Sequence, residues 1–583
     1  MKAPVCFIDP LDTPLGRRSS YLCFANDNKG EPQLGKSTLY LSTCRGGGSG
    51  MADLNAPNHC RAVKLELFRE RALPAVISDT VSEVILESEA GAVRCCIADK
   101  KLVLIKGTDG LGLKISLPAS FMTPPLELVE GCYRFAFGEG SALLTVLKGK
   151  LANVGGGLIA SPDEAGILLL AFEESDVDIL PRAKEDYPDY DEAVRAYEAE
   201  FDAFCDTLYP SLPAEFEPMR RQALYTTWSL MVDPDEGVLY PRTMVKMMRF
   251  IFESAFGWQQ AMQAICLAKN PRLAWDILMS CFELQDKNGR IADAVSHRAG
   301  MGNSMKPPFQ GVALKWLLEN ADLSGIPAEE KHTLFVRMGK WVDFFFKFRD
   351  VDGKGVWANF GPIETGWEDA SYFYAGFPLA APDANAYTVV MMDALATLGR
   401  SIGEDEALCK AWEQRADALT QKLIETCWNG QRWVPVNTRT GAKGLSDSLP
   451  PFAALILGKR LPQEIIDKTV AWVFGEHGFE TDFGFASENV HSPFFHHGFT
   501  GGSVIVPAQL IMCLALEAAG EKEKAKEMGL RYARTLRDNG LFHIHNALNG
   551  KGERGLVAFG EKQLFWSSWA SSVYLFLADR YGR

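Results

Sequence analysis

The sequence predicts a multidomain α and β protein: an N-terminal antiparallel β-sandwich followed by an (α/α)6 toroid. Three observations carry this. Short alternating segments recur every 10 to 20 residues up to about residue 180, the texture turns acidic and helical at 181, and twelve helical segments follow from about 215. The expected divisions are a sandwich domain over 1–180, a helical linker over 181–214 and the toroid over 215–583.

The strand segments are STLYLST (37–43), AVKLELFRE (62–70), SEVILES (82–88), VRCCIAD (93–99), KLVLIKG (101–107) and LGLKISL (111–117). GRRSSYLCFAN and AGILLLAFEE add two more. Each alternates apolar and polar residues between Gly, Pro, Asn or Asp, the pattern of a half-buried strand. The stretch from Pro181 to Leu208 is amphipathic, and Pro210 and Pro213 close it.

Helices are expected at 218–231, 253–268, 271–285, 309–321, 328–349, 384–400, 404–428, 450–458, 462–475, 503–520, 521–539 and 563–580. In 404–428 the residues Leu408, Trp412, Leu419 and Leu423 fall on one face at helical spacing. Pro271 and Pro462 stand where helices start. Short connections at 269–270, 401–403 and 459–461 predict antiparallel pairs. The long connections 232–252, 286–308, 350–383, 429–449, 476–502 and 540–562 follow every second helix, so all six open on one face.

Composition narrows the function. The net charge is −14 and no Lys/Arg run makes a basic face, which argues against nucleic acid and anionic membrane as partners. No stretch approaches ~18 apolar residues, so no membrane span is expected. The 13 cysteines lack CxxC pairing and read as free thiols in a reducing compartment. With no apolar signal segment after Met1, the expected location is the cytoplasm. A small neutral carbohydrate suits this charge balance.

The long loops hold the unusual chemistry. The longest contains PIETGWEDASYF (362–373), with Glu364, Glu368 and Asp369 around Trp367. Loop 476–502 carries Glu488, His491, His496 and His497, and loop 540–562 carries His543, His545, Glu553 and Glu561. Six of the nine histidines lie between 477 and 545. Glycoside cleavage needs one carboxylic acid for the leaving oxygen and a second group for water. A tryptophan wall beside paired acids raises a carboxyl toward that role. Neither HExxH nor CxxC is present, so no metal and no cofactor is expected.

ETGWEDASYF resembles the ESGWD(D/N)SPR segment of trehalases and glycoside hydrolase family 63. Further segments follow in the order of those six-hairpin glycosidases: ESAFGWQQAMQAI, LQDKNGRIADAV, KPPFQGVAL, PDANAYTVVMMDALATLG, FGFASE, FFHHGFTGGSVIVPAQL and LFWSSWASSVYLFLA. The resemblance spans about 185–580 and implies a glycosidase (an O-glycosyl hydrolase) that inverts its substrate. It places Glu368 as general acid with Asp369 as the alternative. It places Glu364, Trp367, Trp258, Gln259, Glu488, His496, His497 and Trp566 among the sugar contacts.

The sequence departs from that pattern where an acid becomes Gln259, where an arginine becomes His497, and where the family's glutamate base becomes His543. Glu561 and His543 both stand as replacement bases. Two other readings remain open: a phosphorylase of the same fold lacking a carboxylate base, and a carbohydrate-binding protein without turnover.

Overall fold

The computed structural model describes residues 6–9, 12–26, 39–43, 61–116, 125–137, 140–175, 179–236, 238–249, 253–297, 299–300, 302, 304–553, 555–556, 562–563 and 565–583. Two antiparallel sheets come first. One runs in the spatial order Leu15–Gly16, Leu22–Asn26, Leu39–Thr43, Arg61–Phe68, Gly112–Ser116, Gly157–Ser161, Lys150–Val154. The other runs Leu126–Val129, Cys132–Phe137, Gly140–Lys148, Leu168–Ser175, Leu102–Gly107, Gly91–Asp99, Glu83–Ser88, Val76–Asp79. Their inward side chains share one continuous core. Every segment expected to be extended lies on a strand. The strands not anticipated include Cys132–Phe137, Gly140–Lys148 and Lys150–Val154.

Helix α1 (Tyr190–Leu208) is capped by Asp189, whose side chain accepts from the Asp191 and Glu192 amides. It lies against the second sheet, where Tyr190 donates to Glu83 at 2.8 Å and Lys106 meets Asp191 at 2.9 Å. Its Tyr197 hydroxyl donates to the Gly16 carbonyl at 2.6 Å, tying the first sheet in as well.

Among the described residues twelve helices of ten or more residues then follow: α2 (Glu217–Ser229), α3 (Gly257–Cys266), α4 (Pro271–Glu283), α5 (Gln310–Asn320), α6 (Ala328–Phe348), α7 (Pro382–Ile402), α8 (Glu406–Cys427), a 3-10 helix (Pro450–Arg460), α9 (Gln463–Val473), α10 (Val506–Ala518), α11 (Lys522–Asn539) and α12 (Ser568–Gly582). Packing sorts them into two rings. The inner ring runs α3, α5, α7, Pro450–Arg460, α10, α12 and closes where α12 meets α3. Burial follows: 16 of the 21 residues of α7 are buried, against 7 of 22 in its outer partner α8.

The buried stripe of α8 is Cys409, Trp412, Ala416, Leu419, Thr420, Leu423 and Cys427. Leu408, expected on that face, is instead exposed. In this first turn it is Cys409, one position on and about 100° round the helix, that takes the place facing the core.

The long connections, at 230–256, 284–309, 349–381, 428–449, 474–505 and 540–567, each run from an outer helix into an inner one. They are stitched to one another in sequence. Ala255–Phe256 pairs with Ala294–Val295, Leu379–Ala380 with Val436–Asn437, and Val504–Ile505 with Ile544–His545. A bridge joins Ser448 to Glu488, and Lys306 donates to the Ile363 carbonyl at 2.6 Å. The Ser568 amide closes the circle on the Met247 carbonyl at 2.9 Å. The sandwich braces two of these loops from outside. Ser19 N–H donates to the Met231 carbonyl at 2.8 Å, and Trp566 N–H to the Asp12 carbonyl at 2.7 Å. Among the described residues no helix is long and apolar enough to cross a membrane.

Candidate functional site

A cavity of about 230 Å³ opens where the N-terminal ends of the inner helices meet the stitched loops. Loop 349–381 contributes most to it: Pro362, Ile363, Gly366, Glu368 and Asp369. Met247, Phe256 and Trp258 form a second wall, Phe499, Thr500, Ile505 and Pro507 a third, and Lys306, His543 and Trp569 complete it. The walls are mostly apolar or aromatic around a few charged groups, the usual make-up of a small-molecule site.

Local sequence explains how the acids are presented. Pro362–Thr365 form a 3-10 turn that ends at Gly366, whose φ of +75° is in the left-handed region. A β-carbon there would also run into the six-membered ring of Trp258. The turn therefore lies flat on Trp258 and sends Glu368 to the cavity. Trp367, next in line, points the other way. It is buried, meets Trp258 edge-on at 5.6 Å, and donates its indole N–H to Asp383 at 3.2 Å. Burial pushes the Asp383 carboxyl up to about 7, with the Ala384 amide and the indole opposing.

The three acids of the motif have three different settings. Glu364 is buried, accepts from Arg349 at 2.6 Å and from the Phe360 amide at 2.8 Å, and does not line the cavity. Asp369 binds the segment opposite: it accepts from the Thr500 amide at 2.7 Å and from the Thr500 hydroxyl, and contacts His496 Nε2 at 2.9 Å. Glu368 Oε1 accepts from Lys306 Nζ at 2.5 Å. The other side of Lys306 faces Asp293 at 3.9 Å.

Asp293 is buried, the Lys306 side chain nearly so, and Glu368 stays partly open to the cavity. Burial pushes the Asp293 carboxyl up, against the pull of Lys306. Burial works against the Lys306 ammonium, but the Asp293 and Glu368 charges outweigh it and raise its pKa. His496 is raised too: partial burial opposes, while the Phe494 carbonyl and Asp369 favour the charged form.

His543 lies on the cavity wall, stacked on Trp569 at 5.3 Å, and burial pushes its imidazole down to about 3. It is a neutral ring at neutral pH, and its Nδ1 has no partner among the described residues. His545 behind it is pushed down to about 4 by burial, while the Gly540 carbonyl opposes.

Of the other expected sugar contacts, Trp258 lines the cavity, while Gln259, Glu488, His496, His497 and Trp566 are not among its lining residues. Gln259 is buried in the ring seam and donates to Ser568 at 2.9 Å, because α3 turns that position toward α12. Glu488 is buried and accepts from Ser371 at 2.7 Å and Ser492 at 2.6 Å, which couples the two loops carrying them. Burial raises its carboxyl pKa. His497 is exposed beside Asn546. Glu561 lies outside the described residues. Sequence reasoning passed over Lys306, Asp293, Thr500 and Trp569. Lys306 stands at the start of KPPFQGVAL, directly before two prolines, with no charged neighbour in the sequence to signal its pairing. Trp569 follows Trp566 by one helical step.

Residues 254–567 match the family model described as the mannosylglycerate hydrolase MGH1-like glycoside hydrolase domain. Mannosylglycerate hydrolase MGH1 of Selaginella moellendorffii is 23% identical over 176 residues, which are 27% of this chain and 35% of that protein. The match thus spans about a third of this curated relative. Among solved structures, the family 63 mannosylglycerate hydrolase of Thermus thermophilus in complex with Tris superposes with a TM-score of 0.50 at 16% identity. It covers 62% of this chain and 99% of its own. An uncharacterized conserved protein of the same organism gives 0.51 at 15% identity over the same shares. At that identity these structures speak for the fold.

Proposed function

Since the chain belongs to the mannosylglycerate hydrolase MGH1-like glycoside hydrolase family, we propose that it cleaves a short neutral glycoside in this cavity, with Glu368 as proton donor. The observation that carries the reading is the position of Glu368. Of the two carboxylates on the cavity wall, Asp369 is bound by Thr500 and His496, whereas Glu368 meets Lys306 through Oε1 alone. Aromatic faces from Trp258 and Trp569 suit the apolar faces of a sugar ring, and Lys306, already paired, leaves little for an anionic substrate.

In this reading Glu368 gives its proton to the glycosidic oxygen as the bond to the anomeric carbon breaks, and water attacks from the far side with inversion. Glu561 activates that water. His543, held neutral down to about 3, is a weak base by comparison and forms part of the wall. Turnover of neutral disaccharides and aryl glycosides tests this. Glu368→Gln is expected to lower kcat about 10²–10⁴-fold, with the thermal melting curve unchanged. Wild-type rates in that variant would refute the assignment. Saturable sugar binding by the wild type without turnover would instead favour a carbohydrate-binding protein.

A further inference from the structure

Charge counting around the candidate acid leaves one group over. Arg349 offsets Glu364, and Lys306 offsets Glu368. Asp293 is 2% exposed; its Oδ1 makes no hydrogen bond of normal geometry among the described residues, although the Ser304 hydroxyl lies close enough to favour its charged form. Its nearest cation, Lys306, is 3.9 Å from Oδ2 and already holds Glu368 at 2.5 Å. Two carboxylates around one buried ammonium retain a proton between them, because a second uncompensated buried charge is costly. A glutamate paired with an ammonium is, as it stands, the ionised partner. A proton donor at that position needs a source for its proton.

We propose that Asp293, Lys306 and Glu368 form a proton relay in which Asp293 stores the proton that Glu368 delivers. The inference rests on the glycosidase reading above. In the resting site Asp293 is the neutral acid and Lys306 pairs with Glu368. As a glycoside enters, Lys306 passes one N–H proton to Glu368 and takes the Asp293 proton in its place. Closing the 3.9 Å gap takes a rotation of the lysine's last bonds or one bridging water. Lys306 stays an ammonium, now paired with Asp293, and Glu368 becomes the neutral acid.

Glu368 then protonates the leaving oxygen, which keeps the electron pair of the broken bond. The attacking water loses its proton to its base and from there to bulk solvent, and Asp293 regains one from solvent, so the cycle balances. The other charged or titratable groups facing the cluster are Glu364 with Arg349, Asp369 with His496, and neutral His543. Burial favours neutral Asp293, in keeping with its storage role.

Two measurements test the relay. The first compares 2,4-dinitrophenyl glycosides, whose leaving group needs no proton, with the matching methyl glycosides. Asp293→Asn is expected to slow methyl glycosides on the order of 10²-fold and dinitrophenyl glycosides less than about twofold, with the alkaline limb of kcat/KM moved to lower pH. Lys306→Gln, which removes the counter-ion, is expected to move that limb to higher pH, whereas Lys306→Arg keeps the charge but passes no proton, so it is expected to keep the limb and slow methyl glycosides as Asp293→Asn does. Equal effects of Asp293→Asn on both substrates, or none on either, would overturn the relay.

The second measurement is independent of turnover. The infrared difference between wild type and Asp293→Asn at pH 7 is expected to show one protonated carboxyl, whereas Glu368→Gln keeps it. A flat Asp293→Asn difference overturns the proposal even in an active enzyme. If the wild type cleaves no glycoside, the glycosidase reading fails, and the infrared difference alone decides where the proton resides.

Discussion

The buried pair of Glu364 and Arg349 supports the candidate acid at the residue scale. Its 2.6 Å contact and the Phe360 amide fix the start of the turn that presents Glu368. Arg349→Met leaves a buried carboxylate without its cation, and such losses cost about 3–5 kcal/mol. The expected outcome is a loss of that order in urea unfolding, with a matching drop in melting temperature. A change below ~1 kcal/mol, the range of exposed pairs, would show that solvent already screens this one. Glu364 had been expected near the sugar. Its real setting was not legible because Arg349 lies 15 residues back, at the end of a different helix, and only the fold brings the two together.

At the scale of elements, the positions of the helices were legible. All twelve expected segments overlap helices of the toroid, because long amphipathic runs carry their period in the sequence. What sequence could not supply was the closeness of packing. Gly311 of α5 faces α7 so tightly that a β-carbon would meet the backbone and β-carbon of Met391. Gly311→Ala is therefore expected to destabilise by about 1–3 kcal/mol, despite alanine's better helix propensity. A stabilised variant in thermal unfolding would contradict that contact. The same limit explains Gln259, which read as a substitute for a sugar-binding acid and is a seam residue facing Ser568.

For the whole molecule, buried titrating groups set a pH dependence of stability. His543 and His545, pushed down to about 3 and 4, stay neutral in the fold while the unfolded chain takes up protons below about 6.5. Stability is thus lost as pH falls from 6.5 toward 4, by about 1.4 kcal/mol per pH unit for each histidine. Asp79 and Asp383, pushed up to about 7, work in the other direction. They hold protons in the fold that the unfolded chain releases above about 4, so their contribution is lost as pH rises toward 7. His545→Phe removes one histidine from this balance. Followed by urea unfolding from pH 6.5 to 4.5, its stability relative to the wild type is expected to rise as pH falls. Parallel curves would show that His545 titrates normally.

The closed inner ring also has a meaning in time. Gln259 at its first helix and Ser568 at its last are 309 residues apart along the chain. A ribosome adding ~5–20 residues per second needs roughly 15–60 s to connect them. Through that interval the Trp258 face of α3 waits for Trp569, the ring that will cover it at 5.6 Å. Until then the growing chain carries an apolar face that only the last helix covers, and its binding cavity is among the last features to exist.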